Sequence, residues 1–86
     1  MSDIEFDVLD ELYFVQTFDY LAGVLEMAVP ELVGALRGLY EKGWVKCLDL
    51  QKDEPISPEQ LDWEKGFAQY RFLATKAGLM AHNGRG

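Results

Sequence analysis

The 86-residue sequence has little of what catalytic and metal sites are usually built from. It contains one cysteine and one histidine, which excludes an internal disulfide, and no C-x-x-C or H-x-x-H spacing supports a metal site. The histidine, His82, lies near the end of the chain, where we expect fraying rather than a position held in a core. Ser2 and Ser57 are better explained as helix caps than as nucleophiles. We therefore predict a protein that is not an enzyme and that needs no cofactor.

Long apolar runs are missing too. None approaches the roughly 20 residues that a membrane span needs, so we expect no membrane association. The first residues, "MSDIEFD", are acidic, which is the wrong charge for a secretory signal. An unpaired Cys47 fits a reducing compartment, and we predict a cytoplasmic protein. The hydrophobic fraction of 49% and the charged fraction of 27% are typical of a folded chain, which we predict to be one domain over residues 1–86.

Basic residues are absent from the first part of the chain. Residues 1 to 36 contain eight acidic residues and no lysine or arginine, and the formal net charge of the whole chain is −7. The eight acids are Asp3, Glu5, Asp7, Asp10, Glu11, Asp19, Glu26 and Glu31. A surface of this charge repels phosphate.

Helix signals divide the first half of the sequence into three helices. Ser2 and Glu5 fit a capping box that opens a first helix, which apolar spacing extends to about residue 15. Thr17 can cap a second, shorter helix, which "MAVP" ends because the residue before a proline disfavours the helical conformation. Pro30 then lies in the first turn of a third helix, and Gly43 supplies the left-handed residue that ends it.

Two strands and a final helix follow. "WVKCLDL" at 44–50 predicts a strand, "YRFLA" at 70–74 predicts its antiparallel partner, and "TKAGLMAHN" predicts a short helix from about Thr75. Three helices and then a hairpin, with a tight turn between the second and third helices, predict an α+β fold of the winged-helix type. Its parts are a three-helix bundle with a helix-turn-helix and a two-stranded β-hairpin wing that carries a short helical insertion.

The insertion lies in the connection between the two strands, which is too long for a plain hairpin loop. "SPEQLDWEKG" predicts a short helix there, with Ser57 as its cap, Pro58 at its first position and Gln60 closing a capping box. Trp63 and Phe67 are expected to anchor the segment to the body. Whether it covers the wing or extends it stays open.

Two motifs resemble those of bacterial winged helix-turn-helix proteins. "LRGLYEKGWVK" resembles the pattern L-x-x-L-x-x-K-G-apolar-apolar, in which the recognition helix ends in glycine and the first wing strand begins. "YRFLATKAGL" is similar to the returning strand of that family, Y-x-apolar-T-x-x-G, with one extra residue, Ala74, before the threonine. The resemblance spans the whole chain, and by itself it implies a transcription regulator that binds DNA.

The residues that would meet DNA are poorly suited to it. The outward positions of the third helix are Pro30, Glu31, Val33, Gly34, Arg37 and Gly38. Only Arg37 among them is a good base or phosphate contact. Acidic residues outnumber basic residues in the second helix and in the wing, so we expect weak DNA binding at most. The basic residues that could still gather near the hairpin are Arg37, Lys42, Lys46, Arg71 and Lys76.

A strip of small residues offers a different surface on the third helix. Gly34 and Gly38 are four residues apart and share one helical face with Glu31, Ala35 and Lys42. The strip is explained either by close packing against a neighbouring helix of the same domain or by docking of a protein partner or a second copy. These five residues are our candidate partner-binding set.

Two functions from different classes follow from these features. The first is a noncatalytic winged-helix module that acts through protein–protein interaction in a regulatory or assembly role, with weak or no DNA binding. The alternative is a small DNA-binding transcriptional regulator of the winged helix-turn-helix class. A homodimer through the apolar first helix is compatible with either function.

Overall fold

A computed structural model of the protein describes residues 1–85 and contains four helices and a three-stranded antiparallel sheet. The elements in chain order are α1 (Asp3–Glu11), β1 (Gln16–Thr17), α2 (Phe18–Leu25), α3 (Val29–Glu41), β2 (Val45–Asp49), β3 (Tyr70–Ala74) and α4 (Lys76–Arg85). The strand order is β1-β3-β2. The three predicted N-terminal helices, the hairpin and the final helix are present, and the sheet gains one short strand that the sequence did not indicate.

The first two helices begin with the predicted caps. The Ser2 hydroxyl accepts a hydrogen bond from the Glu5 backbone N–H, and the Ser2 N–H donates to the Glu5 carboxylate, which completes the capping box. The Thr17 hydroxyl accepts from the N–H of Tyr20. After α2, Glu26 adopts a left-handed conformation with φ 53°, so the helix ends just before "MAVP". The predicted cause was wrong, because Val29, the residue before the proline, already belongs to α3.

The third helix, α3, has the predicted ends. Pro30 lies in its first turn. Gly43, with φ 78°, follows the last turn. The Trp44 N–H donates to the Leu39 carbonyl, and the Gly43 N–H donates to the Tyr40 carbonyl. This pair of bonds is a Schellman motif, which satisfies the last carbonyls and sends the chain directly into β2.

The first helix is shorter than predicted. It ends at Glu11 instead of continuing to about residue 15. The Leu12 carbonyl accepts a hydrogen bond of 3.0 Å from the Ala74 N–H, and the chain then pairs as β1 with the edge of β3. The prediction was wrong because apolar spacing continues past the point where this long-range pairing takes over.

The core lies between the three N-terminal helices and one face of the sheet. Leu32, Leu36 and Leu39 are fully buried, and their spacing of four and three residues places them on one side of α3. The remaining members of the core cluster are Val8, Leu9, Leu12, Phe18, Leu21, Val45, Cys47, Tyr70, Phe72 and Ala74.

The insertion between β2 and β3 folds back onto the core instead of extending the wing. Trp63 stacks on Phe72 with ring centroids 6.4 Å apart, and its ring centroid lies 5.9 Å from that of Tyr40. Phe67 packs against Phe18 at 4.6 Å. The predicted anchoring role of Trp63 and Phe67 is confirmed.

The predicted helix of the insertion is reduced to one 3-10 turn at Pro58–Gln60. Ser57 makes no side-chain capping bond, so the capping box with Gln60 is absent. Leu61 is already extended, because the chain must run back to place Trp63 on the core. A second 3-10 turn, Gly66–Gln69, leads into β3.

Candidate functional site

The outer sides of α2 and α3 form one exposed surface, which we call the helix-turn-helix face. Its exposed residues are Asp19, Tyr20, Gly23, Val24, Glu26, Val29, Pro30, Glu31, Gly34 and Arg37. Three of these side chains are acidic and one is basic, which gives the face a charge of −3 + 1 = −2. In a helix-turn-helix this is the surface that approaches nucleic acid, and here its charge opposes that approach.

The one basic residue of this face is already partnered. The Arg37 Nε lies 3.9 Å from Glu41 Oε1 one turn later, with 59% and 67% of the two side chains exposed. Such a solvent-exposed pair contributes only about 0.3–0.5 kcal/mol, so phosphate could displace it. Arg37 therefore remains accessible, although a second carboxylate accompanies it.

Two other basic residues of the candidate DNA-binding set are held by carboxylates. The Lys42 ammonium donates to both carboxylate oxygens of Glu5, at 2.9 and 2.8 Å, and lies 5.1 Å from the centre of the Trp44 ring. The Arg71 guanidinium donates to Asp53 at 2.7 Å. Both pairs reduce the positive charge that is available to a phosphate backbone.

The remaining two members of that set have no ion pair within residues 1–85. Lys46 and Lys76 are both exposed. Lys46 lies opposite Leu73 in the sheet, and Arg71 lies opposite Leu48. Directly opposed residues point to the same side and alternate residues share a face, so Lys46 and Arg71 lie on one face of the hairpin. Lys42, held against α1, is not part of that group.

Two carboxylates between β2 and β3 hydrogen-bond the backbone of the turns there. The Asp49 carboxylate accepts hydrogen bonds from the backbone N–H groups of Gln51 and Lys52, at 2.8 and 3.1 Å. Asp62 does the same for Glu64 and Lys65, and these backbone donors lower its pKa. Within the described chain, no group of three potential ligands is placed to hold a metal ion.

The structure divides the glycine strip of α3 into two parts. A Cβ on Gly38 would lie 3.3 Å from the Glu5 carboxylate, and Lys42 bonds the same carboxylate, so this end lies against α1. Ala35 is half-buried and packs on the core. Glu31 is exposed, and a Cβ on Gly34 would meet nothing within 4 Å, so this end is open.

Glu5 joins the capping box to that ion pair. Partial burial raises its pKa, but the hydrogen bonds from Lys42 and from the Ser2 backbone outweigh burial, and the net pKa is lowered. The carboxylate therefore fixes the spacing between α1 and the end of α3.

His82 is not in a frayed segment, contrary to the sequence-based prediction. Its ring stacks on Phe6 with centroids 4.2 Å apart, and its Nδ1 lies 2.8 Å from the Tyr13 hydroxyl, which also donates to the Asn83 side chain. The Nε2 lies 3.3 Å from Asp10 Oδ1, but without hydrogen-bond alignment. These contacts fasten α4 to α1. They join residues about 70 positions apart, and no local signal indicates them.

Apolar side chains near α1 are exposed around this contact. Phe14 is 77% exposed and Met80 on α4 is 64% exposed, while Ile4 reaches 37%. Phe6 is half-buried against His82 instead. The apolar surface available to a partner therefore lies mainly after the end of α1.

The described residues form no pocket. Cys47 is 1% exposed, and burial raises the pKa of its thiol to about 12. The thiol is therefore neutral at physiological pH and is inaccessible to a substrate. No helix in residues 1–85 is long and apolar enough to cross a membrane.

Comparison with known proteins identifies the fold. No family model matches the sequence, and no curated protein matches it either. A solved chain described as "Multiple Antibiotic Resistance Repressor, MarR" matches with a TM-score of 0.73 over 98% of this chain, at 21% sequence identity. This protein has the winged-helix fold. Our chain spans 53% of that neighbour's length, and at 21% identity the likeness shows the fold alone.

Proposed function

We propose that this winged-helix domain acts in a regulatory or assembly role through protein–protein contact at the helix-turn-helix face, with weak or no DNA binding. The observation that carries the proposal is the charge of that face, which presents Asp19, Glu26 and Glu31 against Arg37. Its exposed apolar side chains, Val24 at 47% and Val29 at 48%, suit a protein surface better than a phosphate backbone.

The electrostatic term of DNA binding is small for this arrangement. Nonspecific affinity comes from lysines and arginines that neutralise phosphates, and a protein with roughly 6–10 such contacts loses about 10³–10⁵-fold in affinity between 50 and 200 mM salt. Here Arg37 is accompanied by Glu41, and Lys42 and Arg71 are engaged in ion pairs. We expect too few phosphate contacts to offset the acids around them.

In this proposal the candidate partner-binding residues take different parts. Glu31 and Gly34, at the open end of the α3 strip, belong to the docking surface. The other three residues are not part of that surface, because they pack against the core or α1: Ala35, Gly38 and Lys42. A partner would thus meet the N-terminal half of α3 together with α2.

A DNA-binding transcriptional regulator is the second candidate. It is favoured by the likeness to a chain described as a repressor and by two exposed lysines, Lys46 and Lys76, that have no ion pair among residues 1–85. With Arg37 they would form the contacts, and Lys42 and Arg71 would join after release from Glu5 and Asp53.

Self-association through the end of α1 is compatible with both candidates. Phe14 is the most exposed of the large apolar side chains, and a second copy could cover it. Sedimentation of the native protein and of Phe14→Ser at matched concentrations tests this. A native dimer that Phe14→Ser converts to a monomer supports the interface, and a monomeric native protein refutes it.

The test of the proposed function is a fluorescence-anisotropy titration with random-sequence duplex DNA at low and at high salt. We expect no binding at physiological salt and at most weak binding at low salt, which Arg37→Ala changes little. Tight binding that falls steeply with salt and weakens in Arg37→Ala would refute the proposal and support the regulator.

A further inference from the structure

The outward side of α2 has a composition that folding does not explain. Successive residues of a helix are about 100° apart, so Gly23 lies between two edges of the exposed side. Tyr20 and Val24 form one edge and Asp19 lies on the other. Glu26 follows the last residue of the helix in a left-handed conformation and is exposed. The opposite side of α2 holds the buried Phe18 and Leu21.

Gly23 leaves the middle of this side without a side chain, and we call this gap the furrow. A Cβ there would meet nothing within 4 Å, and the residue does not adopt a left-handed conformation. Glycine destabilises a helix interior relative to alanine, so neither packing nor backbone geometry within residues 1–85 calls for it. A glycine at such a position allows another backbone to approach closely.

The apolar edge of the furrow is partly fixed. The Tyr20 hydroxyl donates to Glu11 Oε1 at 3.3 Å, which holds the ring beside the end of α1. Tyr20 is 44% exposed and Val24 is 47% exposed. Together they present an apolar wall next to the furrow.

The charge of the furrow is of one sign. Asp19 lies on the second edge, Glu26 follows at the C-terminal cap of the helix, and Glu11 accepts the hydrogen bond from Tyr20. The helix α2 carries no lysine or arginine. A ligand that covers this side of α2 must therefore be positively charged where it meets Asp19 and Glu26, and apolar where it meets Tyr20 and Val24.

We propose that the furrow on α2 binds an amphipathic, basic helical segment of a partner protein. The proposal rests on the proposed function, since it names the partner class of the helix-turn-helix face. A helix fits because apolar side chains at positions i and i+3 or i+4 would pack along Tyr20 and Val24, and lysines or arginines one edge away would meet Asp19 and Glu26. Nucleic acid does not fit, because the acidic edge repels phosphate. A second copy of this helix does not fit either, because it would bring the same two acids.

The experiment is a selection of binders from a random 16-residue peptide library displayed on phage, against the native protein. Bound peptides are then synthesised, and their affinities are measured by fluorescence anisotropy for the native protein and for two variants. Gly23→Gln fills the furrow. Gly84→Gln is the matched control, because it places the same side chain at another open helical glycine, on α4 and outside the helix-turn-helix face. Circular dichroism of each variant confirms that the fold is retained.

We expect the selected peptides to be basic, with apolar residues at helical spacing, and to lose at least about tenfold in affinity on Gly23→Gln but less than about twofold on Gly84→Gln. In Asp19→Asn/Glu26→Gln their binding should become weaker and less dependent on salt. Failure to select any binder, selection of neutral or acidic peptides, or equal affinity for native protein and Gly23→Gln would overturn the proposal. A loss on Gly84→Gln as large as that on Gly23→Gln would overturn it too, because α4 lies outside the helix-turn-helix face. The DNA titration decides the proposed function separately.

Discussion

The contact between α4 and the turn after α3 allows a sharp prediction for Gly78→Ala. Gly78 is buried, and a Cβ there would overlap the Trp44 carbonyl oxygen and lie 2.9 Å from its carbonyl carbon and 3.1 Å from its Cα. The same carbonyl accepts a 2.9 Å hydrogen bond from the Thr75 N–H, and the Thr75 hydroxyl donates to the Gly43 carbonyl at 2.7 Å. The clash is therefore with backbone that is held in place.

The magnitude follows from three contributions to the free energy of unfolding. The Trp44 carbonyl oxygen is the nearest atom and sets the displacement. Since ordinary contacts are about 3.5–4 Å, α4 must move by more than roughly 1 Å. Overpacking of this kind costs about 1–3 kcal/mol, and loss of the Thr75–Trp44 hydrogen bond costs about 1 kcal/mol. Replacing a helical glycine returns about 1 kcal/mol. We expect Gly78→Ala to destabilise the protein by about 1–3 kcal/mol.

The matched control is Gly34→Ala, also within a helix but with nothing within 4 Å of the new Cβ. It should stabilise the protein by up to about 1 kcal/mol, because only the helix-propensity gain remains. Urea denaturation followed by circular dichroism measures both variants. If Gly78→Ala proved as stabilising as Gly34→Ala, the packing of α4 against Trp44 would be refuted.

Three further predictions concern single side chains. Cys47, whose pKa burial raises to about 12, should react with a thiol reagent only as fast as the protein unfolds; prompt labelling in native buffer would contradict its burial. Glu26→Gly should raise stability in urea by about 0.5–1 kcal/mol, since glycine adopts the left-handed φ of 53° without a steric cost; a loss would show that the Glu26 side chain contributes to the turn. Glu5→Gln keeps a capping-box partner but loses the charge that Lys42 contacts, which we expect to cost up to about 1 kcal/mol at pH 7. Because the folded pKa of Glu5 lies below the ordinary value of 4.5, this difference should be full above that value and vanish as pH falls through the folded pKa; a difference that persists at low pH would contradict the ion pair.

The parts of the fold that were predictable are those set by neighbouring residues. Ser2 with Glu5, Thr17 and Gly43 act within one helical turn of their position in the chain, so their sequence signals suffice. The pairing of β2 with β3 was also predictable, because both segments are rich in the large and branched side chains that favour strands.

The parts that were missed depend on distant partners. β1 has only two residues, and its position is set by β3 and by the Leu12–Ala74 hydrogen bond. His82 acquires its place from Phe6 and Tyr13, far away in the chain.

The same limit applies to the candidate site. Counting charges along the sequence indicated an acidic helix-turn-helix, but it could not show which lysines and arginines form ion pairs. The ion pairs of Lys42 with Glu5 and of Arg71 with Asp53 join residues 37 and 18 positions apart. Likewise, the sequence placed Gly34 and Gly38 on one strip, and only the packing against α1 separates them.

Our central proposal is that this winged helix binds DNA weakly or not at all because of the charge on its helix-turn-helix face. It is tested most directly by measuring random-sequence duplex binding for the native protein and for Asp19→Lys/Glu26→Lys/Glu31→Lys across a series of salt concentrations. We expect little binding by the native protein and clear binding by the variant. Since each new phosphate contact adds about 0.9 to the slope of log affinity against log salt, that slope should steepen by up to about 3. Steep, tight binding by the native protein, or no gain by a folded variant, would contradict the claim.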